Sequence, residues 1–280
     1  MSANRLVGLL FLGLAACGGQ ADDAQSNAPA APVEVRFVAS DFAFDGPATI
    51  EAGVVTFVLE NTGQTLHHLQ LVRLPDGMDF AAFQEALGQM QPGTPPPAWF
   101  VDVGGVNPPP PGQPARTTLM VEAGEYAVVC IVDTPDHVPH VFKGMIQPLT
   151  VTPATTPSAP LPPSDMMLTL VDYGFSFSAP PTAGSHVIHV MNGAAQSHEV
   201  VFIKLHAGRT MDDVGAWGAT YEGEPPFDTY GGVPGIRPGQ MVNVHVDFTP
   251  GEWAALCFVP DATDGAPHLM HGMVLPFTIS

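Results

Sequence analysis

Positive charge is what this sequence has least of. Eight lysines and arginines stand against 27 acidic residues, giving a formal net charge of -19. Contacts to phosphate need clustered basic side chains, so nucleic acid is excluded as a partner. The acidity suits the solubility of an exported protein, or an acidic face that steers a basic partner protein. Cysteine is nearly absent, with only Cys17, Cys130 and Cys257. A disulfide-built scaffold is therefore excluded. Charged residues of both signs are few, whereas Pro 31 and Gly 29 are plentiful. That composition argues against long helices and for many turns between short strands.

A membrane-spanning segment is also lacking. The apolar run from Leu6 to Leu14 is too short to remain as a transmembrane helix, but after Arg5 it has the layout of a secretory signal. Leu14 to Cys17 reads LAAC, which resembles the lipobox of bacterial lipoproteins. That resemblance implies cleavage before Cys17, lipidation on it, and a protein anchored to the cell envelope and facing the periplasm or the exterior. Residues 1–17 are then the signal. Residues 18–32 are a flexible tether without periodicity.

What the chain does have is a duplication. At an offset of 131, Asp41 to Leu74 aligns with Asp172 to Leu205 without a gap, and Asp41/Asp172, Asn61/Asn192 and His67/His198 are identical. Gly124 to Cys130 matches Gly251 to Cys257 at an offset of 127. A proline-rich stretch divides the copies and reads as a semi-rigid linker over 153–164, with domains at 33–152 and 165–280. In the first copy, short apolar or alternating runs lie at Val33 to Ala39, Val54 to Glu60, His68 to Leu74, Arg116 to Val121, Tyr126 to Val132 and Met145 to Val151. Their spacing predicts an all-β protein, two tandem Greek-key β-sandwiches. One helix is expected after Asp79, with Phe80, Phe83 and Leu87 on one face. A weaker one is expected near Thr210 to Trp217. The proline-rich loops at 93–97 and 108–114 read as surface excursions.

Soft donors recur at the same places in both copies. Cys130, His140 and Met145 leave nine residues between Cys and His and four between His and Met. Cys257, His268 and Met273 leave ten and four. In each copy Gly precedes the Met, as a rigid loop would require. A disulfide between Cys130 and Cys257 would have to join two domain interiors, so metal ligation explains them better. Two imidazoles and a thiolate, with a weak thioether, form the ligand set of blue copper. The missing imidazoles are assigned to His67 and His198, six positions after Asn61 and Asn192. His68, His137 and His271 lie beside these candidates without an equivalent in the other copy and are set aside. His186, His189, His206 and His245 read as structural or exposed.

Both copies resemble cupredoxin domains, the blue-copper family that includes plastocyanin and azurin. Cupredoxins usually carry Asn directly after the first His, where it helps hold the site. Here His68 and Glu199 stand in that place. The resemblance implies one type 1 copper per domain and a one-electron carrier with a redox partner protein, such as a basic cytochrome or oxidoreductase. Copper buffering or delivery, and a metal-free binding module, are the alternatives. No His-x-His pair of the kind found in multicopper oxidases occurs, so the expectation is that the chain is not an enzyme.

Overall fold

The computed structural model describes residues 1, 31–91 and 93–280; the signal, Cys17 and nearly all of the tether lie outside them. The first copy forms β1 (Val33–Ser40), β2 (Ala43–Asp45), β3 (Thr49–Glu51), β4 (Gly53–Asn61), β5 (Leu69–Arg73), α1 (Phe80–Gly88), β6 (Val101–Val106), β7 (Ala115–Val121), β8 (Gly124–Val129) and β9 (Ile146–Thr152). The second forms β10 (Met166–Val171), β11 (Gly174–Phe177), β12 (Gly184–Asn192), β13 (His198–Leu205), α2 (Met211–Gly218), β14 (Phe227–Ile236), β15 (Met241–Phe248), β16 (Gly251–Leu256) and β17 (Val274–Ile279). Among the described residues no helix is long and apolar enough to cross a membrane.

Strand burial follows sequence pattern. In β1, Val35, Phe37 and Ala39 are buried while Glu34, Arg36 and Ser40 face outward, the alternation of a sheet with one wet face. The nearly continuous apolar run of β4 is buried on both faces. Phe37 and Phe57 pack within 6.5 Å of each other, and each fully buried phenyl contributes about 1.5–3 kcal/mol.

The two copies are not joined by the linker alone. One eight-stranded sheet runs β11-β10-β12-β15-β7-β4-β1-β2, and one nine-stranded sheet runs β17-β16-β13-β14-β6-β5-β8-β9-β3. Each sheet passes through both copies. The crossing points are β7 against β15, with Leu119 opposite Val242, and β6 against β14, with Val103 opposite Ile236. A single buried apolar cluster spans the seam, containing Val103 and Leu119 from one copy and Ile236 and Val244 from the other.

β6 is absent from the expected strands because Gly104 and Gly105 interrupt it, and glycine weakens a strand signal. Their backbone explains them: φ is +92° and +145°, and a Cβ on Gly105 would sit 1.9 Å from the Leu69 carbonyl oxygen. Gly232 in β14 repeats the device, with φ +121° and the Val200 carbonyl oxygen 1.9 Å from where a Cβ would be.

Both helices start where expected. The Asp79 carboxylate accepts from Ala82 N at 2.8 Å, and Phe83 and Leu87 are buried. Thr210 and Asp213 form a reciprocal capping box. One expectation is corrected. The loop at 108–114 is not wholly a surface excursion, because Pro108 and Pro109 are buried against the second copy. The Pro108 carbonyl accepts from Gly231 N at 2.9 Å, and that of Pro109 from Thr229 Oγ1 at 3.0 Å. Prolines cannot donate to a ladder, but their carbonyls accept freely.

Candidate metal centres

Three residues far apart in the first copy meet beneath the end of the sandwich. His67 is delivered by the turn before β5, Cys130 by the end of β8, and His140 by a one-turn 3-10 helix, His140–Lys143. Gly144 ends that helix in a left-handed conformation, φ 103°, a reason for the glycine before Met145. His67 Nδ1 and His140 Nδ1 face each other at 3.0 Å, and Cys130 Sγ lies 3.5 Å from His140 Nδ1. His67, Cys130 and His140 are each fully buried.

The second copy repeats the arrangement. His198 Nδ1 and His268 Nδ1 are 2.9 Å apart, and Cys257 Sγ lies 3.3 Å from His268 Nδ1 and 3.9 Å from His198 Nδ1. In each set the donor atoms all lie within 4.8 Å of one another. Met145 and Met273 are fully buried in the same cluster as the cysteines. Met145 is tied to the other donors through its backbone, since its N–H donates to the His140 carbonyl at 3.0 Å and its carbonyl accepts from Cys130 N at 3.2 Å.

The protonation pattern suits a metal ion. His67 Nε2 lies 3.0 Å from Asp41 Oδ1, and His198 Nε2 lies 2.9 Å from Asp172 Oδ1. A carboxylate can only accept, so it sets the proton on Nε2 and leaves the Nδ1 lone pair facing the second histidine within the donor cluster. The hydrogen bond from His198 is the main reason that Asp172 is held below the usual carboxylate range. Burial lowers all four imidazoles, His140 and His268 to about 4, so they are neutral donors at pH 7. Burial also pushes the Cys130 thiol up to about 12 and Cys257 well above its ordinary value.

His140 Nε2 and His268 Nε2 are buried without a hydrogen-bond partner among the described residues. Such an orphan costs about 1–3 kcal/mol. The atoms that converge are the two Nδ1 atoms and the thiol of each set, all within 4.8 Å of one another, and a cation between them would engage all three. The residues present therefore fit a thiophilic metal held by two imidazoles.

Several residues of this site were not assigned from the sequence. Asp41 and Asp172 were visible only as identities in the duplication, and nothing local linked a carboxylate to a histidine 26 positions later. Phe42 and Tyr173, both in left-handed backbone at φ 66° and 61°, lay edge-on against His140 and His268 with ring centroids 5.0 and 5.5 Å away. Tyr173 donates to Asp261 Oδ2 at 2.6 Å. His137 is not drawn into the cluster; its ring meets Tyr221 instead. His271 lies beside Asp264, with Nε2 3.3 Å from Oδ1. His186 pairs with Asp165, His189 with Asn243, His206 with Asp228 and His245 with Thr118.

No protein-family model matches the chain, and no curated protein matches it. Solved structures do. Reduced auracyanin from Roseiflexus castenholzii aligns with 41% of this chain and 94% of its own, at 14% identity and a TM-score of 0.30. A blue copper oxidase from Nitrosomonas europaea aligns with 89% of this chain and 86% of its own, at 18% identity and a TM-score of 0.26. A copper nitrite reductase from the same organism covers 89% and 94%, at 13% identity and a TM-score of 0.24.

These matches correct one expectation. The chain was expected not to be an enzyme, yet the oxidase and the nitrite reductase just described, which align with 89% of it, are enzymes. That expectation relied on the absence of His-x-His pairs, which is a statement about neighbours in sequence. Folding gathers donors irrespective of such pairs: Asp261, Asp264 and His271 also bring their donor atoms within 4.8 Å of one another.

Proposed function

We propose that this cupredoxin-like chain binds copper at His67, Cys130, His140 and Met145 and again at His198, Cys257, His268 and Met273, and passes single electrons through both sites. The observation that carries the reading is the duplicated triangle of two Nδ1 atoms and one Sγ, buried and already assembled. Copper bound there would supply a one-electron couple, since thiolate and thioether suit the cuprous state and imidazole suits both. Asp41 and Asp172 orient the first imidazole of each set, and the αL glycines hold the His-to-Met loop. Phe42 and Tyr173 shield the second imidazole from water.

The surroundings support a carrier that meets another protein. Phe142 and Met270, at matching positions two residues beyond His140 and His268, are 46% and 72% exposed. Such apolar residues beside a buried ligand provide a place for close approach. The surplus of acidic residues would draw in a basic redox partner. The LAAC sequence at Leu14 to Cys17 supports a lipid anchor at the cell envelope.

Loading the full chain with copper and recording metal content, visible absorption and reduction potential tests the reading. Two equivalents with an intense thiolate-to-copper band are expected. A colourless complex that holds copper only in the cuprous state would favour buffering or delivery, and absence of binding would overturn both in favour of a metal-free module.

A further inference from the structure

The two sites differ at the second imidazole. Asp261 Oδ2 lies 3.6 Å from His268 Nε2, too far for a hydrogen bond but close enough for its charge to act on the ring and on what the ring holds. Asp261 is buried, and four donors grip its carboxylate. Tyr173 Oη donates to Oδ2 at 2.6 Å and Gln196 Nε2 at 3.0 Å, while the N–H groups of Thr263 and Asp264 donate to Oδ1 at 2.7 and 3.3 Å. All four donors are neutral, so they fix an anion in place without cancelling its charge. The hydrogen bond from Tyr173 is the main reason that this carboxyl is held well below the usual carboxylate range.

The first copy has a hydroxyl in that place. Thr134 and Asp261 each stand four residues after the cysteine, and their N–H groups close matching loops, onto the Val138 carbonyl at 3.1 Å and the Ala266 carbonyl at 2.8 Å. Thr134 Oγ1 is turned to the Val138 carbonyl at 2.8 Å. Phe42 stands where the second copy has Tyr173, so the ring over His140 carries no hydroxyl to hold a carboxylate. Among the described residues His140 Nε2 has no hydrogen-bond partner. The nearby Asp136 is exposed and paired with Lys143 Nζ at 2.8 Å, and that ammonium lies 5.8 Å from the Phe42 ring. At the position of Lys143 the second copy has His271, beside Asp264. Asp41 and Asp172 are common to both sites and cancel from the comparison.

We propose that Asp261 sets the reduction potential of the second site below that of the first, so that a single electron entering the chain rests at Cys130, His140 and His67. The proposal rests on the reading of two copper sites and deepens it. A cupric ion carries one more positive charge than a cuprous one, and a fixed anion behind a ligating imidazole therefore favours the oxidised form. One electron from a donor protein converts the first site from cupric to cuprous while the second stays cupric; no bond is made or broken and no proton crosses. Asp261 touches the ligand His268 and acts through it, as a positioning residue for charge. A purely structural turn would be served by the threonine of the first copy.

The test uses the full chain loaded with copper. Cys257→Ser isolates the potential of the first site and Cys130→Ser that of the second, which is expected to be the lower. Asp261→Asn keeps an oxygen for the Thr263 and Asp264 N–H groups and removes the charge. It is expected to raise the second potential and leave the first unmoved, and chelator competition should show a roughly tenfold loss of cupric relative to cuprous affinity at the second site alone. An unmoved second potential with both coppers in place overturns the role of Asp261 and leaves the two-site reading intact. A parent chain that takes up fewer than two coppers overturns both. If Asp261→Asn does not fold, the order of the two potentials decides: equal values, or a higher one at the second site, overturn the proposal.

Discussion

Asp41 Oδ1 and His67 Nε2 are 3.0 Å apart, and this contact determines which imidazole nitrogen faces Cys130. A carboxylate that orients a metal-binding histidine is typically worth roughly 10- to 100-fold in affinity. Asp41→Ala should therefore weaken copper binding at the first site by about that factor and leave the second, where Asp172 plays the part, unaffected. Competition titration against a chelator of known affinity would reveal it, and equal weakening at both sites would contradict it.

Cys130→Ser should remove one equivalent of copper and one thiolate-to-copper absorption while the Cys257 site keeps its own. Metal analysis alongside the visible spectrum decides the matter. Loss of both equivalents, or of neither, would count against two separate sites.

Gly232→Ala should destabilise the fold by several kcal/mol. The residue has φ +121°, and a Cβ there would lie 1.9 Å from the Val200 carbonyl oxygen at the seam; backbone rather than a flexible side chain would have to yield. Thermal unfolding of the metal-free chain measures the effect. An unchanged midpoint would show that the seam can relax around the methyl group.

Asp102 makes stability depend on pH. Burial raises its carboxyl from 3.8 to about 6, with Ser197 pulling it partly back. Between those two values the folded chain holds a proton that the unfolded chain has released. Its contribution is therefore fully present below 3.8 and is lost as pH rises through about 6. At 1.36 kcal/mol per unit, the loss is on the order of 3 kcal/mol. Asp102→Asn should be more stable than the parent near pH 7 and flatter across the acid range. Denaturant unfolding at a series of pH values checks it, and parallel curves for the two proteins would contradict it.

Much of the site was legible in the sequence because duplication separated signal from accident. His67 was chosen over His68, and His268 over His271, because both copies kept the chosen residue, and His137 was set aside because one copy lacked it. Asp41 was just as clearly duplicated, yet an acidic residue at a turn has many uses and no local pattern pointed from it to His67. Phe42 and Tyr173 gave no signal at all, since what matters is a left-handed backbone that turns the ring over a histidine far along the chain.

By itself the sequence determined the donor atoms, their order and spacing, the alternating strands and the doubling of the whole arrangement, because side-chain chemistry and local periodicity are written residue by residue. Only the tertiary structure decided which imidazoles reach which thiol, and that β6 and β14 and β7 and β15 weld the copies into two continuous sheets. Only it decided that Asn107 of the first copy donates to Glu199 and to the Val200 carbonyl of the second. Those relations depend on backbone pairing between segments tens to more than a hundred residues apart, and the glycines that permit the closest approaches look, in sequence, like breaks in the strands they complete.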